Sequence, residues 1–405
     1  MTTSSRTAKA AKQEEYPPQL SLTEKLKLYT TATRIASTIA VTHGLGGIFR
    51  GASGASSFRV HVAHALIRRL SDTLTDREYQ YLLKPTEDAY NDWCKAKRHV
   101  VDTVALSRYG AKGLWIGDKS TAKHVMVFYH GGGFALSANE VYFDFCLDLI
   151  NALKKTGLDL AIFFVAYSLT PHARYPTQLK QCVEALDYIL TTHSSIPVEN
   201  VYLGGDSAGA NVAISVLLHI SHHPHASLID EDNDINSGTH NLVETDSYLG
   251  GIVCLSPWID FNFDRPSEEE NRKRDCISKK SELAWATSYT DNNPFDPWSE
   301  PTLAPVEWWR GLRAREFLVL AGSDEILLNG IEEFVDKVQS VFPNLVFFVG
   351  QNEGHVCPIV DGALFSKKSR EKIQTWQEMI RWFSGCLSSE QPPSPSKLKH
   401  SQTPS

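Results

Sequence analysis

Short apolar runs alternate with amphipathic stretches along most of this chain. Turn residues bound the runs, which predict extended segments at HVVDTVAL, KGLWIG, HVMVFYH, LAIFFVAY, NVYLGGD, GGIVCLSP, EFLVLAG and LVFFVG. Several runs are followed by stretches with apolar residues at helical spacing, such as VYFDFCLDLINALKK, PTQLKQCVEALDYILTTH and IEEFVDKVQSVF. The alternation predicts an α/β fold, in which helices cover both faces of a mostly parallel sheet.

Two helical stretches are predicted before the first extended segment. The capping-box sequence SLTE, from Ser21 to Glu24, marks the start of the first. The second, SSFRVHVAHALIRRLSD, begins at Ser56 and has apolar residues at helical spacing. The polar residues 1–18 and the proline- and serine-rich residues 388–405 are predicted to be disordered.

Two longer segments interrupt the alternation. Residues 225–248 are acidic and poor in apolar residues, which predicts a surface loop. Residues 260–312 are helical in places and rich in tryptophan, which predicts a packed excursion over one end of the sheet.

The composition is that of an ordinary globular protein, with 42% hydrophobic and 21% charged residues. The net charge of −7 gives no reason to expect a nucleic-acid partner. The seven cysteines are scattered without a CxxC pair, so neither a zinc site nor a redox dithiol is predicted, and no metal is expected. Because the polar start lacks the apolar core of a secretory signal, an intracellular, cytoplasmic location is expected.

No window of the sequence reaches the roughly 18 uninterrupted apolar residues that a membrane-spanning helix needs. The nearest stretch, TRIASTIAVTHGLGGIF from Thr33 to Phe49, is interrupted by His43 and by hydroxyl residues. It is predicted to be a buried helix that ends at glycine, while contact of the leading helices with a membrane surface stays open as an alternative. The sequence predicts no particular oligomeric state.

Three consecutive glycines follow the apolar run that ends near Tyr129. In the stretch VFYHGGGF, from Val127 to Phe134, the glycines have no side chains to keep other groups away from the backbone. A phosphate, an oxyanion or a tight turn could each require such a backbone. A dinucleotide or phosphate site is disfavoured because these glycines lack the G-x-G-x-x-G spacing and the chain has no GxxxxGK. Ligands bind at the carboxyl ends of strands in a doubly wound sheet, so the glycines predict a functional loop.

The pentapeptide GDSAG, from Gly205 to Gly209, matches the G-x-S-x-G pattern of a nucleophile elbow. It lies between the run NVYLGGD and the helical stretch AGANVAISVLLHI, which is the strand-to-helix context that the pattern requires. Such a turn lifts the serine hydroxyl above the sheet, so Ser207 is the predicted nucleophile.

A nucleophilic serine needs a base that takes its proton and an acid that orients the base. Both partners are expected after the serine, each in a loop that follows a later strand. His355 follows the final run, LVFFVG, and is the predicted base. The run EFLVLAG is followed by Asp324 and Glu325, and only one of the two adjacent side chains is expected to reach the base.

Together, HGGG, GDSAG and the late histidine resemble the hormone-sensitive-lipase-like branch of the α/β-hydrolase superfamily. YSLTPHARYP from Tyr167 and SPW from Ser256 are similar to further motifs of that branch, and WSEPTLAPVEWW from Trp298 is similar to a motif of its fungal members. The resemblance runs from Lys112 to Phe383.

This resemblance implies the α/β-hydrolase fold, with a mostly parallel eight-stranded sheet and a helical cap. The leading helices of residues 19–97 and the insertion 260–312 would form the cap, and residues 98–387 would form the catalytic domain. The family's acid usually stands in G-x-x-D-x-L. Counting from Gly322, Glu325 takes the acid's place, so it is preferred to the alternative acid Asp324.

The oxygen of a tetrahedral intermediate becomes negative and needs backbone N–H donors. The amides of Gly131, Gly132 and Ala208 are predicted to supply them. His130 is expected to anchor the glycine loop.

Gly133 and Asp206 are further supporting residues, the latter by bracing the elbow with hydrogen bonds. The expected activity is that of a carboxylesterase-type serine hydrolase without a cofactor, acting on a small-molecule ester. Its substrates would carry a small to medium apolar acyl group or a lipophilic alcohol, as in an acetylated sterol or secondary metabolite. A lactonase, a thioesterase, an acyltransferase and a non-catalytic ligand receptor on the same fold are the alternatives.

Overall fold

The computed structural model describes residues 16–45, 54–55, 57–221, 223–228, 246–364 and 370–388. The strands are β1 (Thr103–Leu106), β2 (Ala111–Ile116), β3 (His124–Tyr129), β4 (Leu160–Ala166), β5 (Val201–Asp206), β6 (Leu249–Leu255), β7 (Ala314–Gly322) and β8 (Leu345–Gly350). They form one sheet in the order β1-β2-β4-β3-β5-β6-β7-β8. β2 pairs antiparallel with both β1 and β4, and the other neighbours are parallel. The prediction of a mostly parallel eight-stranded sheet is confirmed, and each predicted run overlaps one strand.

Helices lie on both faces of this sheet. The described α-helices, including those before β1 and between β6 and β7, are α1 (Leu22–Ile39), α2 (Phe58–Ser71), α3 (Asp76–Leu82), α4 (Thr86–Lys97), α5 (Glu140–Lys154), α6 (Thr177–Thr192), α7 (Ala208–Ser221), α8 (Pro266–Asn271), α9 (Lys279–Thr290), α10 (Leu328–Gln339), α11 (Cys357–Leu364) and α12 (Gln374–Ser388). Helices α6, α7 and α10 share a core with one face, and α4, α5, α11 and α12 share a core with the other. Every residue of β3, β5 and β6 is buried, because these central strands are covered on both sides.

The prediction of two leading helices was incomplete. Helix α1 begins at the predicted capping box, and a π-helix continues it over Ala40–Leu45. Helix α2 begins after its N-cap Ser57, and Ser56 lies outside the described residues. Helices α3 and α4 also precede β1, and α3 has a capping box of its own between Thr75 and Glu78. The sequence TDRE at that position carried a signal that the apolar pattern alone did not show.

The leading helices contact the insertion between β6 and β7. Asp72, at the end of α2, accepts a hydrogen bond from Ser278 at the start of α9. Asp76 of α3 accepts one at 3.0 Å from Ser288 of α9. These bonds join the leading helices to the insertion, as expected if both belong to one cap. The boundaries of the leading helices (19–97), the catalytic domain (98–387) and the insertion (260–312) remain predictions.

A fully buried glutamine joins α3 to the loop after the three glycines. Gln80 donates from Nε2 to the carbonyl of Ala135 at 2.8 Å and to that of Thr170 at 2.7 Å. Its Oε1 lies 2.9 Å from Nε2 of His172. The leading helices are therefore fixed to the edge of the sheet at which β3 and β4 end.

Some predicted segments lie outside the described residues: 1–15, 389–405 and most of the acidic loop, 229–245. Tyr16, inside the segment predicted to be disordered, lies 2.8 Å from Oγ of Ser137 through its hydroxyl. Among the helices that the structure describes, none is long and apolar enough to cross a membrane.

Candidate active site

Ser207 occupies a sharp turn between β5 and α7. Its backbone has a φ of +50°, in the left-handed region, and its N–H donates to the carbonyl of Leu255 at 2.9 Å. The turn needs a bare backbone beside it, because a Cβ on Gly209 would lie 2.0 Å from the carbonyl oxygen of Tyr129. The predicted nucleophile elbow thus has the local structure that places a serine hydroxyl above the sheet.

A chain of hydrogen bonds links Ser207, His355 and Glu325. Oγ of Ser207 lies 2.9 Å from Nε2 of His355, and Nδ1 of His355 lies 3.1 Å from Oε2 of Glu325. The three residues follow β5, β8 and β7, whose carboxyl ends meet at one edge of the sheet. Ser207 is 9% exposed, His355 3% and Glu325 0%, so the base and the acid are shielded from water more fully than the serine is.

The structure brings Glu325, and not its neighbour Asp324, to the imidazole. Asp324 points to Arg274, whose Nη1 lies 3.3 Å from Oδ1. The second carboxyl oxygen of Glu325 accepts hydrogen bonds from the N–H of Gly322 and from Oγ of Ser256. The preference for Glu325 that came from counting along the motif therefore agrees with the geometry.

Burial and charge act in opposite directions on His355. Burial disfavours the imidazolium, but the hydrogen bond to Glu325 and the negative charges of Asp275, Glu325 and Asp206 outweigh it and raise the pKa of His355 above its ordinary 6.5. Burial has the opposite effect on Glu325 and raises its pKa, although the bond to His355 opposes that change. The imidazole of His355 therefore takes up a proton at a higher pH than an ordinary histidine does.

Gly131 does not have the predicted role of an oxyanion donor. Its N–H donates to Oδ1 of Asp206 at 2.8 Å, so this amide is already engaged. The N–H groups of Gly132, Gly133 and Ala208 make no hydrogen bond to another part of the described chain. The correction arises because Asp206 reaches across from the elbow to the glycine loop, a contact that the motif does not reveal.

The supporting residues of the loop are buried and structural. His130 is fully buried between aromatic rings and donates from Nδ1 to the carbonyl of Gly131 at 2.7 Å. Burial lowers the pKa of His130 to about 4, so its imidazole is neutral near pH 7. Gly133 has a φ of +59°, and a Cβ there would lie 2.4 Å from the indole of Trp285. Helix α9 therefore packs directly on the glycine loop.

Asp206 joins the elbow to two other segments. Besides the amide of Gly131, it accepts a hydrogen bond from the hydroxyl of Tyr142 on α5 at 3.0 Å, and it is fully buried. Burial raises the pKa of Asp206 to about 7. Sequence reasoning predicted that Asp206 braces the elbow but did not identify Tyr142, whose contact depends on the packing of α5.

Replacing Asp206 by alanine is expected to destabilise the fold. The change leaves the N–H of Gly131 and the hydroxyl of Tyr142 without a partner, and each buried unsatisfied group costs about 1–3 kcal/mol. Asp206→Asn keeps an oxygen acceptor and is expected to lose much less. Urea unfolding of both variants and of Tyr142→Phe measures this difference, and equal midpoints for the alanine and asparagine variants would contradict it.

Ser256 is a site residue to which sequence reasoning gave no role. It follows β6, and its Oγ donates to Glu325 at 3.2 Å and accepts the N–H of Val356 at 3.0 Å. One hydroxyl therefore contacts both the acid and the residue after the base. The motif SPW marked the position, but only the fold brings it to these partners.

The fold and the site together place the chain in a known family. Residues 126–359, more than half of the chain, match the family described as alpha/beta hydrolase fold, and the chain belongs to that family. The predicted resemblance to the α/β-hydrolases is thereby confirmed, and the solved structures that are similar in fold include an esterase of the bacterial hormone-sensitive lipase family.

One such relative is steryl acetyl hydrolase 1 of Saccharomyces cerevisiae, 25% identical over 222 residues, or 52% of this chain and 47% of that protein. An esterase structure from the bacterial hormone-sensitive lipase family covers 81% of this chain and 99% of its own, with a TM-score of 0.57 and 21% identity. A structure from a study of two Rhizomucor miehei fungal esterases covers 80% and 96%, with a TM-score of 0.60 and 16% identity. The structures show the fold, and this chain spans about half the length of the yeast relative.

Proposed function

We propose that this chain is a carboxylic ester hydrolase that works through an acyl-enzyme on Ser207. The observation that carries the proposal is the continuous chain of hydrogen bonds from Ser207 through His355 to Glu325. A serine with a base on one side and a buried acid behind that base is the arrangement used for acyl transfer on several unrelated folds. The esterases among the relatives and solved structures support the same chemistry.

In the acylation step, Oγ of Ser207 attacks the ester carbonyl while Nε2 of His355 takes the hydroxyl proton. An ionised Glu325 has no hydrogen to donate and can act only as an acceptor. It therefore keeps the ring hydrogen of His355 on Nδ1 and leaves Nε2 free to act as the base. The tetrahedral intermediate then collapses as His355 gives its proton to the leaving alcohol, and an acyl-enzyme remains.

The negative oxygen of the intermediate needs donors that are in place before it forms. We assign this role to the backbone N–H groups of Gly132, Gly133 and Ala208, which have no acceptor in the described chain. Gly131 is left out because Asp206 holds its amide. Water then attacks the acyl-enzyme with His355 again as base, and the acid product leaves.

Aromatic rings of the insertion are evidence for a substrate with an apolar acyl group or alcohol. Trp285 lies against the glycine loop, and Tyr289, one helical turn later, stacks on Phe134 with ring centroids 3.8 Å apart. Apolar rings beside the glycine loop favour apolar groups in a substrate that binds there. We propose esters of small to medium acyl groups or of lipophilic alcohols as the substrate class, with an acetylated sterol or secondary metabolite as candidates. The name of the yeast relative supports the sterol candidate.

A chain-length series tests the proposal. Hydrolysis of p-nitrophenyl acetate, butyrate and octanoate is expected to depend on Ser207. The acyl chain length with the highest kcat/KM indicates how much space the site beneath the cap provides. A competing alcohol separates hydrolysis from acyl transfer, because a transferase would form the new ester in preference to the free acid. A chain without Ser207-dependent turnover of any ester, lactone or thioester would be a ligand receptor instead.

The pH dependence of kcat/KM is expected to show an acid limb above pH 6.5. The pKa of His355 is raised from its ordinary 6.5, so the imidazole becomes protonated, and ceases to act as a base, as the pH falls through that raised value. Activity should fall about tenfold per pH unit below the limb, as for one essential base.

Asp206→Asn assigns this limb. Asp206 has a pKa of about 7 and also raises the pKa of His355. If His355 is the titrating group, the limb persists in the variant and moves to lower pH. A limb that disappears with Asp206, or one that lies below pH 6.5 in the unmodified chain, would contradict the assignment.

A further inference from the structure

Asp275 is a fully buried acid in the insertion, between α8 and α9. Its Oδ1 accepts the N–H of the next residue, Cys276, at 2.6 Å and the N–H of His355 at 3.2 Å. Its Oδ2 accepts the N–H of Ile326 at 2.7 Å. One carboxyl group therefore bonds to the backbone of His355 and to the backbone of the residue that follows Glu325.

These bonds connect the two loops that carry the base and the acid. The loops leave neighbouring strands, β7 and β8, but each extends several residues beyond its strand before it reaches the site. Asn271 of α8, in the same insertion, donates from Nδ2 to the carbonyls of Glu325 at 2.9 Å and Ser323 at 3.1 Å. The insertion therefore bonds at several points to the loop that carries Glu325, and it bonds to the loop that carries His355 through Asp275.

The backbone of the same segment is held by α2. Arg68 donates from Nη1 to the carbonyl oxygen of Asp275. Nδ1 of His64 lies 2.7 Å from the carbonyl oxygen of Arg274, and its Nε2 lies 2.6 Å from Oδ1 of Asp361 on α11. One buried network therefore runs from the leading helices through the insertion to the triad loops.

We propose that Asp275 is a positioning residue for the ester hydrolysis proposed above: its carboxyl group holds the backbone of His355 and of the Glu325 loop at the spacing that lets the imidazole meet both Ser207 and Glu325. Asp275 does not touch the imidazole itself, which distinguishes it from the acid of the triad. The inference rests on the proposed function, since it assigns a residue to that reaction.

Asp275 also acts on His355 through its charge. The acidic groups that face His355 come from three segments: Glu325 after β7, Asp275 in the insertion and Asp206 at the end of β5. Around Asp275 itself lie ionisable groups that its charge affects, namely Arg68, His64, Glu268, Glu282 and Asp324. Removing the charge of Asp275 is therefore expected to lower the pKa of His355, an effect that a purely structural residue would not have.

The test compares the unmodified chain with Asp275→Asn and with Asp264→Asn. Asparagine keeps the size of the side chain but turns an amide N–H₂ towards a backbone N–H, so one loop loses its acceptor. With p-nitrophenyl butyrate, kcat is expected to fall about 10- to 100-fold at similar KM, the size of effect that misplacing a reacting group by about 1 Å produces. The acid limb of kcat/KM should also move to lower pH. Asp264 pairs with Lys279 in the same insertion and has a side chain 86% exposed, so its variant should match the unmodified chain.

Four outcomes decide the proposal. An Asp275→Asn variant with unchanged kcat and an unmoved acid limb overturns it, and so does a lower kcat with an unmoved limb, which would mark a structural role. If circular dichroism shows that this variant does not fold, Arg68→Lys decides: a severalfold lower kcat at unchanged KM supports the positioning role, and an unchanged kcat overturns it. Absence of Ser207-dependent turnover in the unmodified chain overturns the proposed function and this inference together, and is recognised before any Asp275 variant is made.

Discussion

Replacing Ser207 by alanine is expected to lower kcat/KM for p-nitrophenyl butyrate about 10⁴- to 10⁶-fold, the loss found when a triad serine is removed from other hydrolases. The reason is that no other hydroxyl is hydrogen-bonded to His355 in the described chain. The fold should persist, because the elbow is held by backbone bonds from Ser207 to Leu255 and from Trp258 to Ser207 that alanine keeps. Initial rates and thermal unfolding of the two proteins measure both effects.

A fluorophosphonate probe provides an independent measurement of the same prediction. It should label the unmodified chain once, at Ser207, and should not label Ser207→Ala. Ser120→Ala, a change at an exposed serine in the loop after β2, serves as the control and should react normally. Labelling that persists in Ser207→Ala, or turnover that falls less than about tenfold, would contradict the proposed nucleophile.

The apolar pattern was sufficient to predict the strands because the central ones are buried on both faces. β3, β5 and β6 have no solvent-facing side, so their sequences stand out without any knowledge of the neighbours. The nucleophile and the base were equally readable, since an elbow between a strand and a helix and a histidine after the last strand are defined by their order along the chain. The structure brings Ser207 and His355 together at 2.9 Å.

What the sequence did not reveal depends on contacts between distant segments. Gly131 was predicted as an oxyanion donor from its motif alone, whereas in the structure its N–H donates to the carboxyl group of Asp206, 75 positions along the chain. Asp275 accepts the N–H of His355 from 80 positions away along the chain, and no sequence motif includes both residues. Such pairings are fixed by the packing of distant segments against one another, which no local pattern encodes.

Replacing Glu325 by glutamine is expected to lower kcat about 10⁴-fold, as loss of the triad acid does in other serine hydrolases. Glutamine has nearly the same shape, so the imidazole should stay near Ser207. Its amide N–H₂ would donate to Nδ1 of His355, however, which moves the ring hydrogen to Nε2. A protonated Nε2 cannot accept the proton of Ser207, so the chemical step fails while substrate binding is kept.

The matched variant is Asp324→Asn, at the adjacent position. Asp324 faces Arg274 at 3.3 Å and lies 7% exposed, with no contact to the imidazole, so its loss should change kcat less than about threefold, as for a residue outside the triad. Steady-state kinetics of the two variants, with thermal unfolding to show that both are folded, separates the two acids. A large loss in Asp324→Asn together with near-normal turnover in Glu325→Gln would reverse the assignment, and equal losses in both folded variants would show that the acid loop, and not one carboxylate, orients His355.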